Sequence, residues 1–332
     1  MNVADKILIT GAAGFIGSAL VWELNRRGFE NLVLSDVLGT DEKWRNLVPL
    51  RYDDYLDAAQ VLEELEGGSL EEVKWVFHLG ACSATTEKDA GYLMENNYRY
   101  TKKLAEWALA GGRRFVYASS AATYGEGEAG MADGADQLEA YRPLNMYGYS
   151  KHLFDLHAKR RGWLDRIVGL KYFNVFGPNE GHKGDMRSVV HKAYAQIRDH
   201  GTVELFRSHR PEYKDGEQER DFVYVKDAVA MTLHLAAHPQ AAGIFNIGTG
   251  RASTWIELVT PIFHALGLPV DIKFIDMPEV LRGKYQYHTC ADVKRLAATG
   301  WEGPMHTLEE AVTDYVNNYL VPDHRLGHTP GI

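Results

Sequence analysis

The sequence predicts an α/β fold: a doubly wound parallel sheet joined to a smaller, mixed α/β C-terminal domain. Three observations carry that prediction. Short apolar runs of β type alternate with longer helical patterns through the first half of the chain, and such alternation requires crossover connections between parallel strands. A glycine-rich turn, Gly11-Ala12-Ala13-Gly14-Phe15-Ile16-Gly17, stands between the first run and the first helical segment. Asp36 closes the second run, 19 residues beyond Gly17. Strand, glycine turn, helix and strand-end acid together make the sheet Rossmann-like.

Taken in order, residues 7–10 read as a buried strand and residues 18–27 as the helix behind the glycines. Residues 32–35 form a second strand. Asp53 and Asp54 precede another helical segment, where a carboxylate would cap the helix or reach adenine. Residues 75–79 and 115–118 are later strands, with helical periodicity over 92–110 between them, and 167–172 is a further apolar strand. Beyond it the pattern changes. Glycine and proline are frequent from Gly177 to Gly184, and the polar stretch 208–220 reads as an exposed loop. Segments 255–266 and 308–320 read as amphipathic helices, and 322–332 as a frayed tail. The expected division is a dinucleotide-binding domain over 1–175, rejoined by a segment near 220–250, and an interleaved substrate-binding domain over 176–330.

Composition narrows the function. Apolar residues make up 45% and charged residues 24% of 332, an ordinary soluble balance. No apolar run approaches the roughly 20 residues of a membrane helix. The N-terminal stretch lacks the regions of a signal peptide, and the chain has two cysteines, Cys82 and Cys290, far apart. A reducing cytoplasm is therefore expected, without a disulfide framework. The net charge of −9 argues against a nucleic-acid partner, while a local basic cluster still suits a small anion. The fourteen histidines show neither HExxH nor HxxEH spacing, so no metal site is read.

Gly11, Gly14 and Gly17 permit a tight turn and close approach of backbone to a pyrophosphate, and the following helix N-terminus offers unpaired N–H groups to that anion. The candidate cofactor is a nicotinamide dinucleotide. Asp36 at a strand end usually accepts from ribose hydroxyls, which favours NAD. Lys43 and Arg45 follow closely and suit a 2′-phosphate, which favours NADP. NADP is the expected cofactor, with NAD the alternative. Leu79, Gly80, Ala81, Cys82 and Ser83 end a strand on the same side, where small residues let the dinucleotide lie close.

The second constellation is Tyr147-Gly148-Tyr149-Ser150-Lys151. Tyr147 and Lys151 share a helix face, and an ammonium beside a phenol lowers its ordinary pKa of about 10 toward usefulness as an acid or base. Ser120, at the end of a predicted strand, is placed to hydrogen-bond a reacting oxygen.

These residues, with Asn96-Asn97, the run 172–178 (YFNVFGP), the run 220–227 (RDFVYVKD) and the run 245–250 (FNIGTG), resemble the extended short-chain dehydrogenase/reductase family over nearly the whole chain. That family includes nucleotide-sugar epimerases, dehydratases and decarboxylases. Its dehydratases place an acidic pair after the catalytic Thr; here Ala121-Ala122-Thr123 follow Ser120, which disfavours dehydration. The segments 179–186 (NEGHKGDM), 81–87, 119–125 and 283–286 (GKYQ) are similar to the branch that epimerises an ADP-linked heptose at C6″ for the lipopolysaccharide core. The resemblance implies transient oxidation to a ketone and return of the hydride to the opposite face. It implies Tyr147 as one acid/base and Lys183 as the other; by residue type alone Lys183 reads rather as a loop lysine on the diphosphate.

By motif, Phe15, Ile16, Asp36, Val37, Lys43, Asn96, Tyr147, Lys151, Val175 and Lys183 would touch the cofactor. Ser120, Asn174, Asp185, Lys192, Phe206, Arg220 and Tyr285 would line the substrate pocket, Arg220 suiting a diphosphate through its forked geometry. Asp185 stands where the family commonly has Ser, and residues 208–219 lengthen a loop the family uses beside the nucleotide. The resemblance further implies a homo-oligomer, a pentamer among the forms. The alternatives are a 4-epimerase or reductase on another nucleotide sugar, and a non-catalytic dinucleotide-binding regulator.

Overall fold

A computed structural model describes residues 1–282, 285–302 and 305–328. Seven parallel strands form its centre: β1 (Lys6–Thr10), β2 (Leu32–Asp36), β3 (Asp54–Asp57), β4 (Val73–His78), β5 (Arg114–Ser120), β6 (Val168–Tyr172) and β7 (Gly243–Ile247). Their order across the sheet is β7-β6-β5-β4-β1-β2-β3, so the chain reverses direction beside β1, where β1 and β4 are neighbours. Alternation in β1 explains the two faces. Ile7 and Ile9 pack with Leu20, Leu24 and Val229, from helices Phe15–Arg26 and Val225–Ala237. Leu8 packs with Val61, Leu104 and Phe154, from helices Ala58–Gly67, Tyr100–Ala110 and Met146–Arg160. A strand buried on both faces must be apolar throughout, which is why β1 was legible.

The remaining chain builds small pairings at the carboxyl edge of that sheet. Asn174–Phe176 pairs in parallel with Phe222–Tyr224, Val203–Phe206 with Ile272–Ile275, and Glu219–Arg220 runs antiparallel to Ser253–Thr254. No helix is long and apolar enough to cross a membrane, among the described residues.

Four expectations need correction. Segment 208–220 is exposed only over its first part: Gln218 is fully buried and Arg220 nearly so, because Glu219–Arg220 has become a strand. Neither Asp53 nor Asp54 caps the following helix; Asp57 does, in a capping box with Gln60. The tail is ordered as far as residue 328, since Leu326 is fully buried and its N–H donates to the Asn179 side-chain oxygen at 2.9 Å; residues 329–332 lie outside the described residues. The helical stretch 90–110 is interrupted by a π-type segment, Met94–Arg99.

Candidate active site

The glycine turn follows directly from β1. Gly11 has φ +70°, and a Cβ there would lie 2.5 Å from the Gly80 nitrogen, so the ends of β1 and β4 can approach only without a side chain. A Cβ at Gly17 would run into the Gly11 carbonyl oxygen. Such a cradle, closed to side chains and followed by the free N-terminus of helix Phe15–Arg26, fits a dinucleotide pyrophosphate.

Beside it, Asp36 ends β2 with its carboxylate committed. One oxygen accepts from the Ala13 and Gly14 N–H groups at 2.9 and 3.1 Å; the other accepts from the Val37 N–H at 2.8 Å and the Lys43 ammonium at 3.1 Å. Gly11, Asp36, Val37, Lys43, Gly80, Ala81, Cys82 and Asn96 line one cavity, and Tyr92 and Lys103 join them. Leu79, Ser83, Gly14, Ile16, Gly17 and Val175 do not line that cavity. Phe15 is buried at the start of its helix, with the Lys183 ammonium 5.5 Å from its ring centre.

Ser120 is the last residue of β5, and its hydroxyl accepts from the Ala122 N–H at 3.1 Å. Helix Met146–Arg160 carries Tyr147 and Lys151 on one face, capped by Asn145, whose side chain accepts from Gly148 at 2.8 Å. Burial pushes the Tyr147 phenol above its ordinary value, and the Ser120 side chain nearby pulls it back. The net shift of that phenol is upward, not the lowering expected from a neighbouring ammonium, because burial dominates it. The Lys151 ammonium donates to the Ala118 carbonyl at 2.9 Å, and burial pushes it down to about 8 against the upward pull of Asp155. Burial likewise lowers Lys183, opposed by Glu180.

Sequence reasoning missed the side chains that tie these parts together. His78, fully enclosed at the end of β4, lies 2.6 Å from the Thr10 hydroxyl through Nδ1 and 2.7 Å from the Thr101 hydroxyl through Nε2. Thr101 donates to the Asn97 carbonyl at 2.8 Å, so it accepts from Nε2–H. Thr10 accepts from the Gly80 N–H at 3.3 Å and is left to donate to Nδ1. The imidazole is therefore neutral, and burial pushes its pKa down to about 3. Asn97 in turn accepts from the Cys82 N–H, donates to the Cys82 carbonyl and donates to Ser150, which donates to the Tyr147 carbonyl. A buried path thus runs from the glycine turn to the backbone of Tyr147. Asn46 donates to the Ala13 and Asn179 carbonyls, fastening the turn to the loop before Lys183. The pattern Asn96-Asn97 drew notice, but only the fold tells which of the two points inward.

The predicted substrate residues divide. Arg220, Phe206 and Tyr285 converge: the Arg220 guanidinium lies 5.2 Å from the Tyr285 ring centre and 5.8 Å from that of Trp255, and the Phe206 and Tyr285 rings are 6.4 Å apart. Trp255, which the sequence reading did not single out, donates to the Tyr285 hydroxyl at 2.8 Å. Asn174 is exposed at the mouth of its strand. Asp185 and Lys192 are both exposed, and the Lys192 ammonium donates to the Asp185 carbonyl at 2.6 Å. Gly283 and Lys284 of the 283–286 motif lie outside the described residues.

Residues 7–248 match the NAD dependent epimerase/dehydratase family. The chain is 53% identical over 314 residues to an ADP-L-glycero-D-manno-heptose-6-epimerase of Nitratidesulfovibrio vulgaris strain Hildenborough, covering 94% of this chain and 97% of that one. It is 44% identical over 327 residues to a protein of the same name from Fusobacterium nucleatum, covering 96% and 98%. Among solved structures it is similar to the Helicobacter pylori ADP-L-glycero-D-manno-heptose-6-epimerase, with 28% identity, a TM-score of 0.78, and 96% and 99% of the two chains covered. The glycine cradle, the gathering of Ser120, Tyr147 and Lys151 at the end of β5 and these likenesses agree: the chain belongs to the NAD dependent epimerase/dehydratase family and, within it, to the group of the ADP-L-glycero-D-manno-heptose-6-epimerases.

Proposed function

We infer that the chain interconverts ADP-D-glycero-D-manno-heptose and its L-glycero epimer at C6″, supplying a precursor of the lipopolysaccharide core. The observation that carries this reading is the docking of the helix bearing Tyr147 and Lys151 onto the strand end bearing Ser120, through the Lys151–Ala118 hydrogen bond, in a chain 53% identical to a protein of that name. A nicotinamide dinucleotide held by the Gly11–Gly17 turn would supply acceptance and return of one hydride. Tyr147 holds or takes the hydroxyl proton at C6″ while Ser120 hydrogen-bonds the same oxygen. Lys151, cationic below about pH 8, stabilises negative charge on the phenol. Lys183 serves the second orientation of the ketone; its burial, which favours the neutral amine, supports a proton-transfer role. Arg220 takes the diphosphate, with Phe206, Trp255 and Tyr285 beside it.

NADP is the favoured dinucleotide. All four acceptor positions of Asp36 are taken by protein donors, and Lys43 balances its charge, so a ribose hydroxyl finds no free carboxylate and a 2′-phosphate finds a cation. The test is an assay on dinucleotide-loaded protein with the ADP-linked D-glycero heptose. Formation of the L-glycero epimer without net change in nicotinamide absorbance is expected. Stoichiometric consumption of cofactor would make the protein a reductase, and loaded protein that turns over neither sugar would overturn the reading.

A further inference from the structure

We propose that a fully buried ion pair, Asp155 with Lys171, is the positioning device for Ser120, and that its Asp155 end places a carboxylate on the Lys151 face of the catalytic helix. Their side chains are completely enclosed and 2.7 Å apart. Asp155 lies on the catalytic helix four residues beyond Lys151, on the same face. Lys171 lies on β6, in register with Ser119 of β5. From the pair, contacts reach Ser120 from both sides. The Ser119 hydroxyl donates to Asp155 at 2.8 Å, as does the Tyr117 hydroxyl. Lys171 donates to the Thr123 hydroxyl at 2.5 Å, and Thr123 donates to the Ser120 carbonyl at 2.7 Å. The residue before Ser120 and the turn after it are thus both fastened to one point, and that point is on the helix that carries Tyr147. Lys171 also faces the rings of Tyr124 and Tyr141, at 4.9 and 5.9 Å.

A buried pair of this kind contributes little to stability compared with apolar packing. Its place beneath the proposed reacting serine, with hydrogen bonds running to both sides of it, points instead to geometry and field. The groups that face Lys151 are Asp155 on its own helix, the Ala118 carbonyl on β5, His78 on β4 and Cys82 after β4. His78 is neutral, so Asp155 is the carboxylate that opposes the burial of Lys151. Without it the ammonium would lose its proton at lower pH.

The proposal rests on Tyr147 and Lys151 being the reacting acid/base pair, and its test separates the two. Epimerisation is measured against pH for wild type, Tyr147→Phe and the charge-neutral Asp155→Asn/Lys171→Gln, each with dinucleotide retention and thermal unfolding recorded. For the double variant, kcat is expected to fall at least about tenfold with KM nearly unchanged, and the alkaline limb of kcat to move down by about one pH unit. An unmoved limb, or kcat within about twofold of wild type, overturns the proposal. If Tyr147→Phe is itself active, the reading of the site fails instead. Should the double variant not fold, Ser119→Ala/Thr123→Val keeps the pair and cuts its links to Ser120. Its kcat is expected to fall about fivefold or more with the limb unmoved, and wild-type kcat there overturns the positioning role.

Discussion

The Lys43 ammonium stands 3.1 Å from the Asp36 carboxylate, in the wall of the cavity proposed for the dinucleotide. Asp36 is thereby both a fastener of the glycine turn and half of an ion pair, and Lys43 is the part of that pair free to meet further negative charge. Lys43→Ala is expected to weaken NADP binding about tenfold or more while NAD binding changes by less than about threefold. Dinucleotide titration by fluorescence quenching checks this. An equal loss for both dinucleotides would remove Lys43 from 2′-phosphate recognition.

Gly11→Ala joins two penalties: a positive φ that an L side chain resists, and a Cβ 2.5 Å from the Gly80 nitrogen. The atoms it would meet, in Gly80 and Leu79, are all backbone and cannot step aside. The variant is expected to lose about 2 kcal/mol or more of stability and to purify without dinucleotide. Urea unfolding and the absorbance ratio of the purified protein report the two effects. Unaltered cofactor content would show that the close approach of the two strand ends is not needed.

Tyr147→Phe removes the phenolic proton and leaves the ring. It is expected to lower kcat by about two to four orders of magnitude with KM little changed. Lys183→Met distinguishes two roles for that side chain. As a second acid/base it affects kcat comparably, whereas a mere diphosphate contact raises KM and leaves kcat intact. Steady-state epimerisation kinetics decide between them.

Much of this was readable in the sequence for a physical reason. Strands β1, β4, β5 and β6 are buried on both faces and so are apolar runs. Gly11 and Gly17 are demanded by backbone proximity, and Tyr147 and Lys151 are spaced by the helix itself. Strand β3 escaped notice because Asp54 and Asp57 at its ends are exposed at the sheet edge, leaving no apolar run. His78, Asn46 and Trp255 escaped because their partners are distant in sequence: Asn46 meets Asn179, and His78 meets Thr10. Asp185 and Lys192 came from motif alone, and their exposure leaves them weaker candidates than Arg220, whose burial among aromatic rings no local pattern announces.

His78 gives the fold a pH dependence of known sign. Its folded pKa is about 3, below the ordinary value of about 6.5, so between those limits the unfolded chain binds a proton that the folded chain refuses. Stability contributed by neutral His78 is therefore complete above about pH 6.5 and is lost as pH falls toward 3. Protonation would turn Nδ1 into a donor facing the Thr10 hydroxyl, which already accepts from Gly80, so the loss begins at the glycine turn. Between pH 6.5 and 5 wild type should lose about 2 kcal/mol more than His78→Gln, which keeps one donor and one acceptor but cannot titrate. The variant starts less stable, so the informative quantity is the slope of the urea midpoint against pH. His191, also lowered by burial, to about 4, remains in both proteins and cancels in the difference. Parallel slopes would mean that the buried imidazole accepts its proton without disturbing Thr10 and Thr101.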